Sequence, residues 1–193
     1  MLIRYPETRT QPLVEDLHGQ PIPDPYRWME DLDSDEIRAW IEAQNQLTFS
    51  ILESSPLREK FQARMTELWN YEKYSPPVKR GGRYFFSYNN GLQNQNVLYW
   101  MANLQGEPIA LLDPNTLSED GTIALSAAAV SRDGRYLAYG LADAGSDWQT
   151  WHIRRVDDGQ DLADEVAWVK FSGASWDKTN TGFFYSRYDA PEG

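Results

Sequence analysis

The sequence predicts a mixed fold, with an extended amino-terminal arm and an α-helical hairpin followed by an all-β propeller left incomplete. Three observations lead there. Ahead of Leu68–Pro77, reading LWNYEKYSPP, apolar residues recur every three or four positions; behind it come short aromatic and β-branched runs between Gly, Asn and Asp turns. Pro76 and Pro77 cannot continue a helix, and each biases the residue before it toward extended backbone. In the second half, a glycine followed by an aromatic strand opening returns at Gly82, Gly134 and Gly182. The spacing of about fifty residues suits a four-stranded propeller blade better than an immunoglobulin-like sandwich.

Val14–Asp31 (VEDLHGQPIPDPYRWMED) reads as an ordered extended arm, because Pro21, Pro23 and Pro25 restrict the backbone while Tyr26 and Trp28 can anchor it. With Asp33 or Ser34 as N-cap, and Asp35 and Glu36 in the first turn, an amphipathic helix runs to about Glu53. Ile37, Trp40, Ile41, Gln44, Leu47 and Ile51 share its inner face. Pro56 is expected to open a second helix, whose buried stripe is Leu57, Phe61, Met65 and Leu68. Two helices alone bury too little to be stable, so this hairpin needs a partner surface. Strands are then expected at Tyr84–Tyr88, Val97–Met101, Ile109–Leu112, Ile123–Val130, Arg135–Tyr139, Thr150–Val156, Ala167–Phe171 and Gly182–Ser186. Only about two and a third blades fit after Ser75, and a ring needs at least four.

Composition narrows the chemistry. Twenty-nine acids against 18 bases give a net charge of −11, which disfavours nucleic acid and anionic membrane surfaces as partners. No cysteine is present, so disulfides and thiolate chemistry are excluded. There is no apolar run long enough for a signal peptide or a membrane span, and a cytoplasmic location is expected. The nearest approach to a nucleophile elbow, Gly173-Ala174-Ser175-Trp176-Asp177, puts bulk where such a turn keeps small residues, and it reads as a connection between strands. His18 lies in the arm and His152 in an alternating strand, neither with a nucleophile in context. Asp31-Leu32-Asp33-Ser34-Asp35 has calcium-loop character, but Glu36 replaces the required glycine, and helix capping explains the acids better. From the residues alone the chain shows an architecture and no active site.

Several runs nevertheless resemble the amino-terminal portion of the prolyl oligopeptidase family: EDLHGQPIPDPYRWMED from Glu15, AWIEAQNQLT from Ala39, ELWNYEKYSPP from Glu67, GLQNQNVLYW from Gly91, LLDPNTLSEDGT from Leu111, DGRYLAYG from Asp133, GSDWQTW from Gly145 and WVKFSGASWD from Trp168. The resemblance implies a cytosolic, monomeric, cofactor-free serine peptidase that cleaves short peptides after proline, with a seven-bladed propeller inserted into an α/β-hydrolase domain. It implies that residues 1–74 form the front segment of the hydrolase domain and residues 75–193 the first two blades and the edge of a third. The Ser/Asp/His triad of such a peptidase belongs to its carboxy-terminal segment, so no catalytic residue and no metal ligand is expected here, and this stretch alone is expected to be inactive. By the same resemblance Phe171 lines an apolar subsite upstream of the cleaved proline, and Asp147 lies near the amino end of a bound peptide. The alternative from a different class is a non-catalytic β-repeat module that binds peptides or proteins.

Overall fold

In the computed structural model, which describes residues 3–190, the arm is a hairpin of β1 (Val14–Leu17) and β2 (Gln20–Pro23). Its turn closes because His18 and Gly19 take positive φ, 55° and 80°, while Asp16 Oδ1 accepts the Gly19 amide at 2.6 Å. A 3₁₀ turn, Arg27–Glu30, follows. Trp28 anchors the arm by donating its indole N–H to the Arg9 carbonyl at 3.0 Å, with the Arg9 guanidinium 5.1 Å from the ring centre. Helix α1 (Asp35–Glu53) starts where capping puts it, since Ser34 Oγ accepts the Ile37 amide at 3.3 Å and Asp35 and Glu36 fill the first turn. Trp40 donates to Thr8 Oγ1 at 3.0 Å, and Arg9 pairs with Glu36 at 2.5 Å. The Arg9 hydrogen bond holds the Glu36 carboxyl below its ordinary range.

Two expectations about the second helix need correction. Helix α2 (Arg58–Trp69) begins after the proline rather than on it, because a turn closed by the Arg58 amide on the Ser55 carbonyl at 3.2 Å contains Pro56. Its apolar stripe is also open to solvent: Leu57 is 51%, Phe61 63%, Met65 67% and Leu68 57% exposed. A helix face is buried only against another surface, and among the described residues of the first unit nothing covers Leu57, Phe61 or Met65.

The chain divides into two compact units, Met1–Met65 and Thr66–Gly193. Within the second, Lys73 ties the end of α2 to the strands, donating to Trp69 O at 3.0 Å and Gly91 O at 2.8 Å. Strands β3 (Lys73–Tyr74) and β4 (Val78–Arg80) share one edge of β5 (Arg83–Asn89), interrupted where Pro76 and Pro77 offer no amide to the ladder. With β6 (Val97–Met101) and β7 (Ile109–Leu112) they complete the first antiparallel sheet. The second sheet is a meander of β8 (Ala124–Val130), β9 (Tyr136–Ala142), β10 (Gln149–Arg155) and β11 (Asp161–Val169). A short pair, β12 (Ser175–Trp176) and β13 (Phe183–Phe184), starts a third. The strand expected at Ala167–Phe171 is another correction: β11 begins at Asp161 and ends at Val169, leaving Phe171 outside it. Its acid-rich first half, DLADEV, carries too little apolar alternation to read as a strand.

The second sheet buries both of its faces. Phe85, Leu111 and Leu112 from the first sheet meet Leu137, Tyr139 and Val156 around the second. On the opposite face of the second sheet, Ala138, Trp151 and Val169 pack with Trp176 and Phe183 of the third. Strand β9 therefore puts Leu137 and Tyr139 on one side and Ala138 on the other, with its centre buried throughout. Polar links cross between sheets: Trp176 donates its indole N–H to the Ala129 carbonyl at 2.8 Å, and Arg154 donates to the Leu111 carbonyl at 2.9 Å. Arg154 also forks onto Asp161 at 2.8 and 2.7 Å.

Candidate functional site

The two residues singled out by resemblance come from different connections of the second sheet. Asp147 lies in the β9–β10 turn, where Ala144 and Gly145 take φ of 47° and 76° and the Ser146 amide donates to the Asp143 carbonyl at 2.8 Å. Phe171 follows β11, whose pairing with β10 slips between Gln149↔Val169 and Trp151↔Val166. One extra residue on β11, where Ala167 and Trp168 face Thr150 alone, makes this a bulge, and Trp168 within it has φ 62°. Phe171 then takes φ 53° and is 77% exposed as a residue.

Lys170 links the two connections. Its ammonium sits 3.4 Å from Asp147 Oδ2 and 5.1 Å from the ring centres of both Trp148 and Phe171. Trp148 in turn meets Trp168 and Tyr188 edge-on at 5.8 and 5.7 Å, and the Tyr188 amide closes the cluster onto the Trp168 carbonyl at 2.9 Å. The arrangement is an aromatic platform carrying one cation and one carboxylate, suited to apolar contact and to sorting charge. It holds no nucleophile–base pair. Sequence reasoning missed Trp148, Trp168, Lys170 and Tyr188 as site members. Trp148 and Lys170 stand inside the quoted runs GSDWQTW and WVKFSGASWD, directly beside the two residues chosen, but no periodicity announces the bulge that gathers them.

The other sequence candidates have structural surroundings. Ser175 lies in β12 with strand rather than helix after it, and Asp177 accepts from the Thr179 and Thr181 amides in the following turn. The His152 ring lies 5.5 Å from Tyr139, and His18 occupies the arm turn. Burial, more than any other influence, pushes the Tyr139 hydroxyl up to about 12. A groove of about 770 Å³ runs between β4 and β8, with Arg80 and Arg132 but no histidine or acid in its lining, so its serines have no base. Among the described residues, no helix is long and apolar enough to cross a membrane.

Antiparallel sheets stacked face to face in chain order, the middle one packed on both sides, define a β-propeller-type repeat protein. The chain belongs to the prolyl oligopeptidase family, matching its N-terminal beta-propeller domain over residues 5–193. It is 37% identical over 191 residues to the prolyl endopeptidase of Elizabethkingia meningoseptica, covering 99% of this chain and 27% of that protein. A solved prolyl endopeptidase superposes with a TM-score of 0.88 at 35% identity, over 95% of this chain and 27% of that one. Prolyl oligopeptidase B of Galerina marginata, bound to a 35-residue hydrolysis and macrocyclization substrate, superposes with a TM-score of 0.83 at 31% identity, over 96% and 30% of the two chains. The chain thus spans about a quarter of the length of these relatives.

Proposed function

We propose that this chain is the amino-terminal portion of a prolyl oligopeptidase, a serine endopeptidase that hydrolyses short peptides on the carboxyl side of proline. Residues 1–74 contribute the front segment of an α/β-hydrolase domain, and residues 75–193 contribute two blades and the start of a third in a seven-bladed propeller. The carrying observation is the family match over residues 5–193 at about a quarter of the relatives' length. The exposed α2 stripe supports the reading, because it presents the apolar face that a hydrolase body would cover.

In this reading the reaction is acyl transfer by a serine activated by histidine, with no cofactor, on residues outside this stretch. The residues present contribute to binding. Phe171 offers an apolar ring to the side chain upstream of proline, and Asp147 faces the peptide's amino end. The propeller wall keeps folded proteins from the cavity.

The test compares two polypeptides, residues 1–193 alone and the full-length peptidase, on a proline-containing fluorogenic peptide. The full-length protein is expected to turn it over and to be stopped by a serine-directed organophosphate, while residues 1–193 give no turnover. Organophosphate-sensitive turnover by residues 1–193 alone, or cleavage by the full-length protein without regard to proline, overturns the reading.

A further inference from the structure

Asp147 is already occupied. Lys170 places its ammonium 3.4 Å from Asp147 Oδ2, and among the described residues it is the cation paired with that carboxylate. The lysine side chain is only 27% exposed, whereas Asp147 is 59% exposed. The asymmetry has a cause, because the same ammonium is held 5.1 Å from the rings of Trp148 and Phe171. Trp148 is itself fixed by Trp168 and Tyr188.

We propose that Lys170 is a specificity-determining residue: a resident competitor that masks Asp147 and so suppresses any preference for peptides with a cationic amino end. The inference rests on the proposed reading of this site as facing a bound peptide's amino end. An ion pair this exposed is weak and exchangeable, so the carboxylate can be shared. The aromatic contacts, however, keep the lysine in place after the carboxylate turns away. An arriving ammonium therefore meets a nearly neutral pair, with Lys170 repelling what Asp147 attracts. An acylated amino end carries no charge for either group to act on, and the site treats the two alike.

The experiment uses the full-length peptidase and two proline-containing fluorogenic peptides that differ only in a free or an acetylated amino terminus. The readout is the ratio of their KM values within one preparation, so a partly folded sample does not distort it. Lys170→Met keeps the apolar stem on the rings and removes the charge. It is expected to lower KM for the free-amino peptide about three- to tenfold relative to the acetylated one, with the kcat ratio unmoved. High salt and a second substitution, Asp147→Asn, should each abolish that gain. Lys170→Arg, which retains the charge, should keep the wild-type ratio.

An unchanged ratio in Lys170→Met, or a gain that survives Asp147→Asn, overturns the proposal. So does Asp147→Asn alone leaving the ratio unchanged, since the lysine it strands without a counter-charge should repel the free-amino peptide. Phe171→Ala separates this failure from failure of the site reading. If only Lys170 is misassigned, Phe171→Ala still raises KM for both peptides; if the cluster does not face the peptide at all, it moves neither.

Discussion

Phe171 holds a conformation that its own burial does not explain. Its φ of 53° lies in the left-handed region, which costs a residue with a Cβ about 1–2 kcal/mol, yet 77% of the residue is in contact with solvent. Strain retained at an exposed aromatic, beside Lys170 and a second left-handed residue at Trp168, is what a binding ring held ready for its ligand would show. Phe171→Gly should therefore separate stability from function. It is expected to stabilise residues 1–193 by about 1 kcal/mol in urea unfolding, while weakening binding of blocked tripeptides to the full-length peptidase by about 1–3 kcal/mol. A fall in stability with unaltered KM would mean that the ring serves the fold. Legibility at this scale is uneven. Ser34 and Trp28 could be read from capping and anchoring chemistry alone, whereas Phe171 read as a strand aromatic until the family resemblance marked it. Its left-handed backbone comes just after the bulge at Ala167 and Trp168, and neither leaves a pattern in side-chain type.

Among elements, the recurrent glycine has a mechanical cause. Gly82 and Gly134 take φ of 85° and 72° at the turns that open β5 and β9, whereas Gly182 has no positive φ. The two turns also touch: a Cβ on Gly81 would lie 1.7 Å from the Asp133 carbonyl oxygen, and one on Gly134 2.6 Å from that of Arg80. Arg83 donates to the Gly134 carbonyl at 3.1 Å and pairs with Asp157, closing the same contact. Gly82, by contrast, has nothing within 4 Å of such a Cβ. Gly82→Ala should cost about 1 kcal/mol from its backbone alone, and Gly81→Ala at least about 2–4 kcal/mol because two backbones must part. Equal midpoints in urea would deny the turn-to-turn contact. The fork of Arg154 on Asp161 joins β10 to β11 and reaches β7, and it makes an acid-sensitive link. Burial raises the Asp161 carboxyl, but hydrogen bonds first from Arg154 and then from Tyr139 outweigh it and leave the group below its ordinary range. A depressed folded value means stability that is present above about pH 4 and lost as pH falls through the folded value. Asp161→Asn should cost about 1–3 kcal/mol at neutral pH and much less below pH 3, so the two unfolding midpoints should converge on acidification. Strands such as Val97–Met101 were legible because apolar residues carry them; β3, β4 and β12 were not, being two or three residues long and fixed by pairing rather than by pattern.

At the scale of the whole molecule, the second unit grows by stacking, its middle sheet supplying one apolar face to its predecessor and the other to its successor. That is why the fifty-residue period could be read as a propeller before any contact was known, and why small residues such as Ala138 face one way while Leu137 and Tyr139 face the other. The period of the helices was equally legible, but periodicity identifies an apolar face without saying what covers it. Helix α2 shows the difference, since Phe61 and Met65 remain 63% and 67% exposed. In residues 1–193 alone, replacing both with glutamate removes apolar area that already contacts water, so the unfolding midpoint should move by less than about 0.5 kcal/mol. Dye binding and self-association should fall in the same protein, because an exposed apolar patch is what drives them. In the full-length peptidase, where the proposed hydrolase body would bury the stripe, each side chain contributes about 1.5–3 kcal/mol by leaving water. The double substitution should then lower stability by several times the effect seen in the shorter polypeptide. Urea unfolding and sedimentation velocity on the four proteins decide it. A large loss in residues 1–193, or no loss in the full-length protein, would show that α2 completes no hydrolase surface.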